Sequence, residues 1–398
     1  MLSPPRSAIP RELSQIGGWW LCGWRDAGPV PGETERQPLV RKSALASAVT
    51  ATSIERVPLN FSSYCAATAW LLMDISFRKG THMSEDKTGN RAASVIATPS
   101  LPVEKVFASA EIQHGDVDFI KVDEMLTLRR MIVRAPAPKG TVLFLHGFPE
   151  TMMVWKDIAS TLARDYDVHA FDWPGYGQSS RPTLQRFSYA PQDYAAVLKA
   201  YIETAGIDRS NLVIYATDIA ALPVLLLALD EPAIARRIIV GDFAPFDRAQ
   251  YMWENLQNLK AEPTASPTRA YMNKTSDEIL QNVHRRGLSP AEQFDLPTDV
   301  QRDMVHSWSF GGMTSADAFA HYYVNFTRDQ NVLEANLDRL KTPVKVIWGE
   351  QDLYINKEMG IEFAARIGVK IDILPGIGHF PHLQSAKQTV EEIRASFR

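Results

Sequence analysis

The sequence is short of cysteine. Among 398 residues there are two, Cys22 and Cys65, and both precede residue 100. Disulfides and cysteine-ligated metal are therefore excluded from everything downstream. It also lacks an excess of either charge: 42 Lys and Arg stand against 46 Asp and Glu, a formal net charge of −4. That mild acidity argues against nucleic acid and anionic membrane surfaces as partners. No window reaches the roughly 18 apolar residues that a membrane-spanning helix needs. The best run, residues 64–75, is broken by Thr68 and Asp74. The first residues carry Pro4, Pro5 and Pro10 and show no basic stretch followed by an apolar one, so no secretory signal is expected and a cytoplasmic protein is the default. A glycine-rich phosphate loop and metal-ligand spacings of His or Cys are missing too, and the pair Gly175 and Gly177 lacks the third glycine of a dinucleotide fingerprint. No cofactor and no metal is implied.

What is present is material for a large core: 45% of residues are hydrophobic and 22% charged. It is unevenly spread. Residues 1–110 mix Pro, Ser, Thr, Ala and Arg without a sustained period of 2 or 3.6, and read as a poorly ordered extension. Met83 opens a polar run (Ser84, Glu85, Asp86, Lys87) that resembles an ordinary cytoplasmic N-terminus. Translation starting at Met83 and a genuine extension are both open.

From about residue 117 strands alternate with helices. Strands are expected over 117–122, 126–133, 141–145, 168–171, 212–215, 238–240, 344–348 and 371–374, and helices over 154–162, 194–202 and 219–229. Short continuous apolar runs such as 141–145 mark strands buried on both faces. The alternation predicts an α/β fold with a mostly parallel sheet covered by helices. It stops between Phe243 and Lys341, where an aromatic, polar, helical stretch is too long for a loop. A core over 115–243 and 341–398, with a helical cap over 244–340, is the expected organisation. Such a cap would cover the carboxyl ends of the strands, where open α/β sheets bind ligands.

Five motifs carry chemistry. The strand 212–215 runs through Ala216-Thr217-Asp218-Ile219-Ala220-Ala221 into an apolar helix, the shape of a nucleophile elbow with alanines for the usual glycines. Asp also favours helix N-caps, so this segment alone leaves a capping role open. His146-Gly147-Phe148-Pro149 follows a buried strand, where the Phe148 N–H would form one half of an oxyanion hole and the Ile219 N–H the other. Asp172 to Ser179 forms a turn after the next strand. Trp348-Gly349-Glu350-Gln351-Asp352 and Gly378-His379-Phe380 follow the last two strands. The order Asp218, acid, His379 is the α/β-hydrolase order.

Residues 115–398 thus resemble the α/β-hydrolase superfamily, and within it the epoxide hydrolase and haloalkane dehalogenase branch. The resemblance implies an aspartate nucleophile, Asp218. A carboxylate is ionised at neutral pH and needs no base to attack an sp3 carbon. The alkyl ester so formed is cleaved by water at the Asp218 carbonyl, whereas a serine would leave an ether. His379 is then the base for that water, and His382, three residues on, is read as structural. Asp352 is the expected acid behind His379, with Asp242 at the end of strand 238–240 as the alternative and Glu350 as a solvated bystander.

Haloalkane dehalogenases typically carry a Trp after the nucleophile, and fluoroacetate dehalogenases an Arg; here Ile219 stands there. Phe148 takes the position where an Asn often holds halide, although Trp308 could supply an indole N–H. Epoxide hydrolases use cap tyrosines to protonate the epoxide oxygen. Tyr323, in His321-Tyr322-Tyr323-Val324-Asn325, is the best match, and Tyr251 or Tyr271 is a candidate for the second. His146, Trp308, Tyr251 and Tyr271 are expected to line the pocket. The resemblance implies hydrolysis of an epoxide to a diol, the partners being a small apolar organic substrate and water. Hydrolytic dehalogenation and a non-catalytic small-ligand binder are the alternatives.

Overall fold

The computed structural model describes residues 115–398. The expectations for residues 1–110 and for Met83 lie outside the described residues.

Eight strands form one sheet in the order β1-β2-β4-β3-β5-β6-β7-β8. β1 (Asp116–Lys121) and β2 (Thr127–Val133) form an antiparallel pair, and β2 is also antiparallel to β4 (Asp167–Phe171). β3 (Thr141–Leu145), β5 (Leu212–Thr217), β6 (Arg237–Gly241), β7 (Val344–Gly349) and β8 (Ile371–Leu374) continue the sheet from β4 in parallel. The central strands are mostly apolar because both faces are covered; every residue of β5 is buried.

Around the sheet lie α1 (Lys156–Leu162), α2 (Pro191–Thr204) and α3 (Ala221–Asp230). Residues 221–229 of α3 are all buried, which places this helix in the core. Pro191 starts α2, where a missing N–H costs nothing. Between β6 and β7 the chain forms α4 (Glu254–Asn258), α5 (Ala265–Lys274), α6 (Ser276–Asn282), α7 (Thr298–Ser307), α8 (Ser315–Val324) and α9 (Phe326–Ala335). After β7 come α10 (Lys357–Arg366), α11 (Pro381–Gln384) and α12 (Ala386–Ser396), none of which the apolar periodicity had marked. The expected helix over 219–229 begins instead as a single 3-10 turn, Asp218–Ala220. Among the described residues, no helix is long and apolar enough to cross a membrane.

One buried charge cluster ties the inserted helices to the sheet. Arg129 on β2 donates from Nε to Asp172 (2.5 Å) and from both terminal nitrogens to Asp303 on α7 (2.8 and 2.7 Å). Thr151 donates to the same Asp303 carboxylate at 2.6 Å. The paired, two-pronged geometry is what allows these charges to stay out of water.

Candidate active site

The site is assembled from the turns that follow β3, β5, β6, β7 and β8. At the end of β5 the backbone is extended at Thr217 and then turns left-handed at Asp218, with φ +53°. A non-glycine residue there is strained and persists only where its surroundings fix it. Gly147, across the turn, gives the space: a Cβ there would lie 2.7 Å from the Asp218 Cβ and 2.8 Å from its Oδ1. Ala216 and Ala220, fully buried, keep the turn tight.

The Phe148 N–H donates to Asp218 Oδ1 at 2.6 Å. Its loop is held from behind. The Gly147 N–H donates to Glu150 Oε2 at 2.8 Å, and Glu150 Oε1 meets His382 Nε2 at 2.7 Å. Burial alone would raise the Glu150 pKa; the His382 ring and the Gly147 N–H outweigh it and hold the carboxyl below its usual range. His382 stacks on Trp155 at 4.2 Å, so the reading of His382 as structural fits its surroundings. Glu150 was not marked in the sequence, although it directly follows His146-Gly147-Phe148-Pro149.

His379 lies on the other side of Asp218. Its Nε2 is 3.3 Å from Asp218 Oδ2 and its Nδ1 is 2.8 Å from Asp352 Oδ2. Asp352 Oδ1 also accepts the N–H groups of Tyr354 (2.8 Å) and Ile355 (3.0 Å). Burial works against a charged imidazole, yet Asp352 and Asp218 together raise the His379 pKa well above its ordinary value. Of the two acids considered, the Nδ1 hydrogen bond goes to Asp352. Asp242 adjoins the pair: it is fully buried, has φ +51°, and accepts the Gly349 N–H at 2.8 Å. Asp242, Asp352 and His379 each bring one side-chain atom within 4.8 Å of the others.

Asp218 and His379 open onto a cavity of about 560 Å3. Its inner wall is apolar, with Phe148, Leu256, Met272, Ile279, Phe319 and Phe380. Its polar lining includes Asn255, Glu278 and Arg286. Arg286 pairs with Glu278 and sits over the Trp253 ring at 5.7 Å. Such size and composition suit a small apolar ligand.

The pocket residues expected from sequence are placed unevenly. Tyr271 lines the cavity but is 60% exposed. Three others do not line it. His146 is fully buried beneath the site, where its ring contacts the Gly147 carbonyl and accepts the Trp173 N–H at 3.2 Å. Trp308 is buried behind Phe148, ring to ring at 5.9 Å. Tyr251 packs against the core at a 3-10 turn before α4, its carbonyl accepting the Asn356 N–H. Composition could not separate cavity aromatics from packing aromatics; Trp253 and Phe319 are cavity residues that it missed.

Tyr322 and Tyr323 also divide. The Tyr322 hydroxyl donates to the Ile219 carbonyl at 3.0 Å, a structural bond. The Tyr323 hydroxyl has no partner among the described residues, and its side chain shares with Asp218 a small cavity of about 10 Å3. Burial, and then the Asp218 charge, push the Tyr323 pKa well up, so the phenol keeps its proton. The Ile219 N–H makes no hydrogen bond to the Asp218 carboxylate; Phe148 is the donor engaged there.

A sheet of this topology, a strained polar turn after β5 and a His–Asp pair after β8 and β7 define a hydrolase fold. The sequence profile of the Alpha/beta hydrolase family matches residues 142–392, and the chain belongs to that family. Over 252 residues it is 22% identical to a monoacylglycerol lipase from Xenopus laevis, covering 61% of this chain and 71% of that protein. It is 31% identical over 231 residues to epoxide hydrolase 4 from Mus musculus, covering 56% of this chain and 62% of that one. Among solved structures, a haloalkane dehalogenase from Bradyrhizobium elkani superposes with a TM-score of 0.56 at 19% identity, over 71% of this chain and 99% of that chain. The last is a likeness of fold.

Proposed function

We propose that the protein hydrolyses an epoxide to a diol through an alkyl ester on Asp218. One observation carries this reading: the Asp218 carboxylate lines the apolar cavity with Oδ1 fixed by the Phe148 N–H and Oδ2 beside His379. The substrate is a small apolar epoxide, water is the second reactant, and helices α4–α9 serve as the cap that selects it.

In the first step Oδ2 attacks an epoxide carbon, the C–O bond breaks, and Tyr323 gives its proton to the departing oxygen. The Tyr323 phenol recovers a proton from the His379 imidazolium, leaving that ring neutral. Esterification also removes the Asp218 charge that helped hold the proton on His379, so the ring becomes a base when one is needed. In the second step His379 takes a proton from water, the oxygen adds to the Asp218 carbonyl carbon, and negative charge develops on Oδ1. The Phe148 N–H already points at that atom. Collapse expels the diol oxygen, which takes the proton of the new hydroxyl, restoring the Asp218 carboxylate and His379 imidazolium.

A carboxylate attacking an acyl ester would form a mixed anhydride, a product with more stored energy than the ester it consumed, which disfavours lipase chemistry at Asp218. Dehalogenation uses the same first bond, and the indole of Trp253 in the same cavity, its N–H unpartnered among the described residues, is a donor that could receive a halide. Product analysis separates the two. Incubation with a panel of aryl and alkyl epoxides and bromoalkanes should give diol, absent in Asp218→Asn, and little bromide. Bromide release without diol would replace this reading by the dehalogenase one.

A further inference from the structure

Asp242, a buried acid beside Asp352 and His379, takes no part in the proposed steps. The side chains of Asp242, Asp352 and His379 bring a carboxyl oxygen of each acid and a ring nitrogen within 4.8 Å of one another. Two carboxylates so close in a buried place cannot both ionise readily. Their hydrogen bonds decide which keeps the charge. Asp352 accepts three, from Tyr354 N–H, Ile355 N–H and His379. Asp242 accepts one, from the Gly349 N–H at Oδ1, and its fully buried Oδ2 has no hydrogen-bond partner. An ionised Oδ2 there would be an unsatisfied buried charge, whereas a protonated one is a donor in a cluster that also holds the Asp352 carboxylate. The left-handed backbone at Asp242 is the strain accepted to hold the group in this place.

We infer that Asp242 is a positioning residue that stands as a neutral carboxylic acid beside Asp352 and donates its Oδ2–H to that carboxylate. This rests on the role proposed for His379. By drawing charge from Asp352, the neutral acid weakens the grip of Asp352 on the imidazole proton, so that His379 can release it during turnover. The other titratable groups around Asp242 are His379 itself, the buried phenol of Tyr215, and Asp218 beyond the His379 ring. Burial and the neighbouring Asp352 charge both push the Asp242 carboxyl well above the ordinary carboxylate range, in agreement with the geometry.

Two measurements on the free protein test this without any substrate. Infrared difference spectra of wild type against Asp242→Asn should show a protonated carboxylic acid band at neutral pH that the variant loses. NMR titration of the His379 ring should then separate two variants. Asn keeps both a donor and an acceptor, so Asp242→Asn should leave the ring titration near its wild-type position. Asp242→Ala removes the donor and should move it upward by about one pH unit. Absence of the acid band, an equal shift in both variants, or no shift in Asp242→Ala would each overturn the inference. Failure of the ester chemistry would overturn the proposed function alone, since neither readout requires turnover.

Discussion

In the turn after β5, Asp218 is fixed on both sides: Oδ1 on the Phe148 N–H at 2.6 Å, Oδ2 facing His379 at 3.3 Å, and Gly147 packed against its Cβ. In α5 of the inserted segment nothing comparable occurs. That helix has no buried residue, and Tyr271, which lines the same cavity, is 60% exposed. Both regions border one cavity, yet one is held by short hydrogen bonds and steric necessity and the other is a surface helix without a buried residue. In the function proposed above, bond-making falls to the strand-end turns and substrate selection to the inserted helices. Reacting groups need fixed geometry, while a selective wall can vary without loss of the fold.

The comparison can be pressed at four points. Asp218→Asn should lower turnover by about 10^4-fold or more while leaving the thermal unfolding profile close to wild type. Retained activity would remove the turn after β5 from the chemistry. Tyr323→Phe lies on an inserted helix but faces Asp218, so it should cost about 10^2-fold in kcat on epoxides and much less on any bromoalkane. Equal losses on both would make Tyr323 a packing residue. Asp303→Ala leaves Arg129 partly unpaired in a buried place, and should cost about 3 kcal/mol in denaturant unfolding. A negligible loss would mean that the inserted helices are held by apolar packing alone. Tyr271→Ala should raise KM a few-fold and leave kcat alone, as expected of a wall residue that touches substrate equally in ground and transition states. A fall in kcat instead would blur the division.

The same division governs what could be read from the sequence. Strand-end turns announce themselves, since an apolar run followed by His146-Gly147-Phe148 or by Gly378-His379 has few structural alternatives, and all eight strands overlap the stretches where strands are expected. The choice of Asp352 over Asp242 rested on its place after a late strand, and the Nδ1 hydrogen bond to Asp352 is consistent with it. The inserted helices offered no such constraint. Tyr251, Trp308 and His146 have the composition of pocket residues but are spent on packing and on hydrogen bonds to backbone. Glu150 and Trp253 were missed because their importance lies in what they touch across the fold: Glu150 meets His382, which follows the last strand, and Trp253 carries the Arg286 guanidinium over its ring. Sequence spacing holds no record of either contact.

The central claim is that Asp218 becomes covalently attached to substrate and that His379 is needed only to release it. It is tested most directly by the intact mass of His379→Gln after exposure to epoxides and bromoalkanes. The account predicts an adduct equal in mass to a whole epoxide, mapped to Asp218 and absent when Asp218→Asn is added. An adduct that persists after Asp218→Asn, or wild-type turnover by His379→Gln with no adduct, would contradict it.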